Sequence, residues 1–92
     1  MDIFKDLKTS IRRRFEFIEF CLNWDGRVGR PELQKQFTIS PQQATNDLTT
    51  YLDICPGNMN YDPRKRAYIA NPNFRPKLIT GEASEYFMHL EM

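Results

Sequence analysis

Ninety-two residues, 40% of them apolar and including seven Phe and four Tyr, hold the material for one modest core and exclude a second large domain. Thirteen basic against twelve acidic side chains leave a net charge of +1. That balance is uneven, with residues 1–14 summing to +3, 15–25 to −3, 26–40 to +2, 41–58 to −2, 59–80 to +4 and 81–92 to −3, so a charged partner would meet local patches and not the average.

The first ten residues place Ile3, Phe4 and Leu7 along one apolar edge of a short helix. From Ile11 the helical pattern strengthens. Ile11, Phe15, Ile18 and Leu22 fall within about a 60° arc, while Phe17, Phe20 and Trp24 cluster on nearly the opposite side. Arg12, Glu16, Glu19 and Asn23 are read as the polar strip between the two. One apolar face can serve the core; the other needs a second cover. Phe17, Phe20 and Trp24 are therefore the expected homodimer interface, unless the terminal segments of the same chain cover them.

Asp25-Gly26 ends this helix, and Arg27-Val28-Gly29 has the length of a short strand or plain turn. Arg30-Pro31-Glu32 then puts Pro and an acid in the first turn of a second helix, with Leu33 and Phe37 on its inner face. Thr38-Ile39 leads to Ser40, which together with Pro41 and Gln43 predicts a capping box at the start of a third helix. On that helix Ala44, Leu48, Tyr51 and Leu52 share one side, and Gln42, Asn46, Thr49 and Thr50 point the opposite way, with Gln43 at the edge. An ordinary solvated face would carry Lys and Glu in i,i+4 pairs. Gln, Asn and Thr are instead the side chains that read adenine edges and thymine methyls in a DNA major groove, although a polar helix without a ligand fits the same residues. Two short helices joined by a tight turn form the helix-turn-helix pattern.

Pro56-Gly57 stops the third helix. Met59-Asn60-Tyr61 and Ala67-Tyr68-Ile69-Ala70 read as a hairpin around Asp62-Pro63-Arg64-Lys65-Arg66, a turn with three consecutive cations. In that position the hairpin is the wing of a winged helix-turn-helix, with Tyr61 and Tyr68 placed to pair across it. Asn71 to Pro76 is a Pro-fixed exit, so the winged helix-turn-helix is assigned to 1–76. Residues 77–92, with Tyr86, Phe87 and Leu90 at helical spacing, are assigned to a linker and C-terminal helix. The expected fold class is mainly α with a small β-hairpin.

FEFIEFCLNWDGRVGRPEL, FTISPQQATNDLTTY and CPGNMNYDPRKRAYIANPNFRP, together spanning roughly residues 15 to 76, resemble the WYL-domain transcriptional repressors that accompany bacterial anti-phage defence operons such as BREX and CBASS. The resemblance implies an N-terminal winged helix-turn-helix that binds a palindromic operator on double-stranded DNA as a homodimer. It also implies an effector ligand bound by a WYL domain outside these 92 residues, so this chain reads as the DNA-binding module.

On this reading Gln42, Gln43 and Asn46 contact bases, each good bidentate pair contributing roughly 1–3 kcal/mol of discrimination. Backbone contacts are expected from Ser40, Thr45, Thr49, Thr50, Arg27, Arg30, Arg64, Lys65 and Arg66, with Lys35 and Arg12 to Arg14 as further candidate cations. No 18-residue apolar run marks a membrane span, and unclustered Cys21 and Cys55 fit a cytoplasmic chain with reduced thiols. His89 and two separated cysteines make no usual zinc site, and no Gly-rich phosphate loop or paired nucleophile and base is present, so neither metal, cofactor nor catalysis is expected. A winged helix that serves protein–protein assembly without nucleic acid is the alternative. An RNA-binding winged helix would be expected to expose more aromatics for stacking on unpaired bases.

Overall fold

The structure is a computed structural model that describes residues 7–79. Residues 1–6 of the short helix expected over the first ten residues, and the helix expected within 82–92, lie outside the described residues; Leu7 and Lys8 are not helical, and α-helix begins at Thr9.

Helix α1 (Thr9–Trp24) ends at Gly26, whose φ of +74° lets its N–H reach back to the Cys21 carbonyl at 3.1 Å. Strand β1 (Arg27–Val28) follows, then α2 (Arg30–Phe37) and α3 (Pro41–Ile54). Both inner helices start where the sequence places their caps. At α2 the Glu32 carboxylate accepts the Gly29 N–H at 2.7 Å, and at α3 the Ser40 hydroxyl accepts the Gln43 N–H at 3.0 Å. The capping box at α3 is only half made, because the Gln43 side chain bonds Asp47 instead of returning to the Ser40 backbone. Between α2 and α3, Thr38 takes a left-handed φ of 52°, unusual for a β-branched residue, and makes the turn sharp.

Strands β2 (Met59–Asp62) and β3 (Ala67–Ala70) form the hairpin, and β1 joins the free edge of β3, giving the antiparallel order β1-β3-β2. Arg27 opposes Ile69 and Val28 opposes Tyr68, so β1 ties the wing to the helices. Gly29 marks the closest approach: a Cβ there would stand 3.4 Å from the Arg66 carbonyl oxygen and 3.3 Å from Glu32 Oε1. Tyr61 and Tyr68 face each other in register, their rings edge-on at 5.0 Å. Among the described residues this is a winged helix, three helices and a small antiparallel sheet.

The core joins Phe15, Ile18 and Leu22 of α1 to Val28, Leu33, Ala44, Leu48, Tyr51 and Met59. Phe15 meets Tyr51 edge-on at 5.7 Å. The second apolar stripe of α1 departs from the expectation of a dimer interface. Phe17 and Phe20 are each only 4% exposed, and Phe17 packs edge-on against Phe37 of α2 at 5.5 Å. The chain itself covers them, so only Trp24, 55% exposed and tilted against Phe20, remains at the surface.

Glu19 is a second correction. Placed by the sequence on the polar strip, its side chain is wholly buried. It lies about 40° beyond Phe15 around the helix, at the edge of the core arc, where the exit segment covers it. Its carboxylate accepts the Tyr51 hydroxyl at 2.7 Å and the backbone N–H groups of Lys77, Leu78 and Ile79 at 2.8, 2.7 and 3.1 Å. Asn58 extends the network. Its amide donates to the Tyr51 oxygen at 3.0 Å and to the Arg75 carbonyl at 2.9 Å, and its oxygen accepts the Arg75 N–H at 3.1 Å. Burial, followed by the neighbouring Glu19 charge, holds the Tyr51 phenol far above its ordinary pKa and pushes the Cys55 thiol up. The exit segment 75–79 is thus fastened to α1, α3 and the start of the wing. Residue 76, the expected domain boundary, falls inside this fastened segment.

Candidate nucleic-acid interface

Helix α3 buries Ala44, Leu48 and Tyr51 and exposes Gln42, Asn46, Thr49 and Thr50, as its period requires. From Gln42 to Thr50 the exposed face carries no charge; Asp53, one turn beyond Thr49, is exposed on the same side. Gln42 and Asn46, one turn apart, interlock through a hydrogen bond from the Gln42 amide to Asn46 Oδ1 at 3.1 Å. The free carbonyl of Gln42 and the free amide of Asn46 remain for another partner. The Thr49 hydroxyl donates back to the carbonyls of Thr45 at 3.0 Å and Asn46 at 3.2 Å. Its one hydrogen is therefore spent within the helix, which leaves Thr49 no donor for a phosphate and only its methyl group and its accepting oxygen to offer a ligand. Ser40, by contrast, only accepts in its cap and keeps its hydroxyl hydrogen.

Gln43 is half-buried at the rim of this face, with its amide donating to Asp47 Oδ1 at 2.9 Å. Asp47 is 3% exposed and is gripped from α1 by Arg14, Nε to Oδ2 at 2.5 Å and the terminal nitrogen to Oδ1 at 3.3 Å. Arg14 is therefore committed to an internal ion pair and leaves the set of candidate phosphate cations. The sequence carried a signal for this pair. Asp47 borders the Ala44-Leu48-Tyr51 stripe, about 40° beyond Tyr51, where an acid needs a cationic partner, and the run Arg12 to Arg14 supplies one.

The wing supplies the positive charge that α3 lacks. Asp62 Oδ1 accepts the backbone N–H groups of Arg64 at 2.9 Å and Lys65 at 3.3 Å, closing the turn, and Arg66 takes a left-handed φ of 53° on the way into β3. Arg64, Lys65 and Arg66 are all exposed. The wing and α3 meet at a cleft of about 480 Å³ lined by Gly29, Arg30, Thr45, Leu48, Tyr61, Pro63, Arg66 and Tyr68. Three of the residues singled out from sequence, Arg30, Thr45 and Arg66, thus converge from α2, α3 and the wing on one opening. Arg27 is exposed on β1 but does not line it. Arg30 and Arg66 give the cleft a positive rim, and the edge-on tyrosine pair gives it an aromatic wall, Tyr61 being 51% exposed. Burial, then the neighbouring Tyr61, raises the Tyr68 phenol above its ordinary value. Among the described residues no helix is long and apolar enough to cross a membrane.

Comparison with known proteins agrees with this architecture. Residues 10–92 match the family model described as the BrxR transcriptional regulator winged helix-turn-helix domain. The chain is similar to proteins named DNA-binding transcriptional repressor CapW. Identity is 40% over 79 residues with the one from Stenotrophomonas maltophilia (86% of this chain, 26% of the relative). It is 38% over 78 residues with that of Escherichia coli strain KTE188 (85% and 26%) and 38% over 74 residues with that of Pseudomonas aeruginosa (80% and 25%). The chain spans about a quarter of the length of the curated relatives it matches. Transcriptional regulators of this kind are not enzymes. With α2 and α3 joined by a sharp turn, a basic wing following α3 and the match running through residues 10–92, the chain belongs to the family of BrxR transcriptional regulator winged helix-turn-helix domains.

Proposed function

We propose that this chain binds double-stranded DNA sequence-specifically, with α3 in the major groove and the wing on the flanking backbone, and that it acts as a repressor of a phage-defence operon in the cytoplasm. The observation that carries the reading is the division of labour around one cleft. From Gln42 to Thr50 α3 presents an uncharged amide and hydroxyl face, and Thr45 of the same helix meets the wing that bears Arg64, Lys65 and Arg66 at that cleft. Neutral amides discriminate base edges, whereas cations attract every phosphate alike. Gln42, Gln43 and Asn46 are the proposed base contacts. Arg30, Thr45 and Arg66 around the cleft, with Ser40, Thr50, Arg27, Arg64 and Lys65, are the proposed backbone contacts, and Thr49 offers its methyl to a thymine. The relatives' printed names, DNA-binding transcriptional repressor, support the same assignment.

Operator occupancy would repress by excluding polymerase. A homodimer on an inverted repeat, its two α3 helices about 34 Å apart along the duplex, completes the proposal. The buried Phe17 and Phe20 take no part in such a contact. Effector sensing is assigned to the part of the relatives that this chain does not span.

A mobility-shift titration against the DNA upstream of the chain's own gene, with scrambled duplex as competitor, tests the reading. A retarded complex that survives excess competitor supports it. Unchanged mobility on a long duplex at low salt refutes it and points to a protein-assembly role.

A further inference from the structure

The Arg14–Asp47 pair reaches the recognition face through Gln43, and its geometry leaves that amide a single orientation. An aspartate carboxylate offers only acceptors, so the group facing Asp47 Oδ1 at 2.9 Å must be the Gln43 NH₂, and the Gln43 carbonyl is turned away from it. The carboxylate is itself fixed, held from two sides by a guanidinium that never loses its charge and 3% exposed within the fold. A free glutamine can rotate to offer either end of its amide. This one has one of its two N–H groups committed, leaving the carbonyl oxygen and a single N–H.

We infer that Arg14 and Asp47 are positioning residues for specificity: they lock Gln43 with its carbonyl outward, so that it reads the exocyclic amine of adenine or cytosine in the major groove and rejects the carbonyl edges of guanine and thymine. The inference rests on the reading of Gln43 as a base contact. The matching edge is adenine N6 with N7, or cytosine N4, because an outward acceptor needs a base donor and the remaining Gln43 N–H can still serve N7.

The geometry also fixes what a single isosteric change does. In Asp47→Asn the short bond from Arg14 Nε retains the oxygen at the Oδ2 position, which gives up the longer 3.3 Å bond from the Arg14 terminal nitrogen and puts the new NH₂ where Oδ1 stood, facing Gln43. Gln43 must then turn its carbonyl inward to accept from it. Its two N–H groups face outward, and the preferred base edge changes from amine to carbonyl. Adding Gln43→Glu to Asp47→Asn returns an outward acceptor while accepting from the introduced amide, and so restores reading of the amine.

The test uses the 92-residue chain and a duplex selected from a randomised pool. Gln43→Ala first locates the base pair that Gln43 reads. The exocyclic amine at that pair is then deleted, with purine in place of adenine or 2-pyrimidinone in place of cytosine. Wild type is expected to lose roughly five- to a hundredfold in affinity. Asp47→Asn is expected to be indifferent to the deletion and to select a different pair there, with preferences elsewhere and the salt dependence unchanged. The Asp47→Asn, Gln43→Glu double variant is expected to regain sensitivity to the amine. Loss of stability alone cannot produce this swap at one base pair. Wild type indifferent to the amine, or Asp47→Asn as sensitive as wild type, overturns the positioning role while leaving Gln43 as a base contact. If Gln43→Ala relaxes no position, the base-contact reading fails and the inference falls with it. Should Asp47→Asn prove too unstable to assay, the wild-type response to amine deletion decides alone.

Discussion

Replacing Glu19 by Gln removes one oxygen and one charge from a buried site while keeping its shape, and the cost can be worked from the four bonds it accepts. Oε2 takes the Tyr51 hydroxyl and the Lys77 N–H; Oε1 takes the N–H groups of Leu78 and Ile79. If the amide nitrogen replaces Oε2, the Tyr51 hydroxyl can turn to accept from it, but its own hydrogen loses the acceptor it had and the half-buried Lys77 N–H is stranded. If it replaces Oε1, two backbone N–H groups are stranded. Each buried donor left unmade costs about 1–3 kcal/mol, and the surviving bonds lose their charge assistance. The cheaper orientation therefore costs about 2–4 kcal/mol, against a total stability of roughly 5–14 kcal/mol for a chain of this size. Urea unfolding followed by far-ultraviolet circular dichroism should show that loss, with Tm lower by about 8–30 °C. Glu16→Gln, on the half-exposed side of the same helix, should stay within about 0.5 kcal/mol of wild type. A Glu19→Gln loss below about 1 kcal/mol would show that the carboxylate does not fasten the exit segment to the fold.

Three further outcomes follow from individual side chains. Because burial and then Glu19 raise the Tyr51 phenol, the folded form keeps this proton after the unfolded chain has lost it. That contribution is complete below about pH 10 and declines above it by about 1.4 kcal/mol per pH unit, so Tyr51→Phe should flatten the pH dependence of unfolding in alkali. Thr38→Gly should stabilise the chain by about 0.5–1 kcal/mol in thermal melts, since glycine adopts the left-handed conformation that a threonine holds there against its Cβ. Phe17→Ala should cost about 3–5 kcal/mol as a core truncation, whereas Trp24→Ala, at the surface, should leave the unfolding midpoint close to wild type.

The elements were legible in the sequence because their signals are local. Ser40-Pro41, Arg30-Pro31-Glu32, Asp25-Gly26 and the Asp62 turn each declare a start or a stop within a few residues, and the helices and hairpin fall where these signals put them. The exposed face of α3 was legible for the same reason. Side-chain destinations were less so. Periodicity places Glu19 on the strip beside the core arc, about 40° beyond Phe15, and the backbone groups that bury it lie 58–60 residues away, beyond any periodic pattern. Asp47 likewise lies about 40° beyond Tyr51, at the edge of the buried stripe of α3, and its partner Arg14 is 33 residues away. The apolar second face of α1 was correctly seen as needing a cover, but periodicity cannot say whether a helix of the same chain or a second copy supplies it; Phe37 supplies part of it.

The central claim is that specificity and affinity reside on separate elements, and the salt dependence of binding tests it most directly. Affinity of wild type, Gln42→Ala and Arg64→Ala for a selected duplex and for a scrambled one is measured between low and physiological salt. Arg64→Ala is expected to weaken both complexes alike and to reduce the slope of log affinity against log salt by about 1. Gln42→Ala is expected to keep the wild-type slope and the affinity for scrambled DNA while losing the preference for the selected site. The opposite pattern, with base preference moved by Arg64→Ala and salt slope moved by Gln42→Ala, would contradict the account.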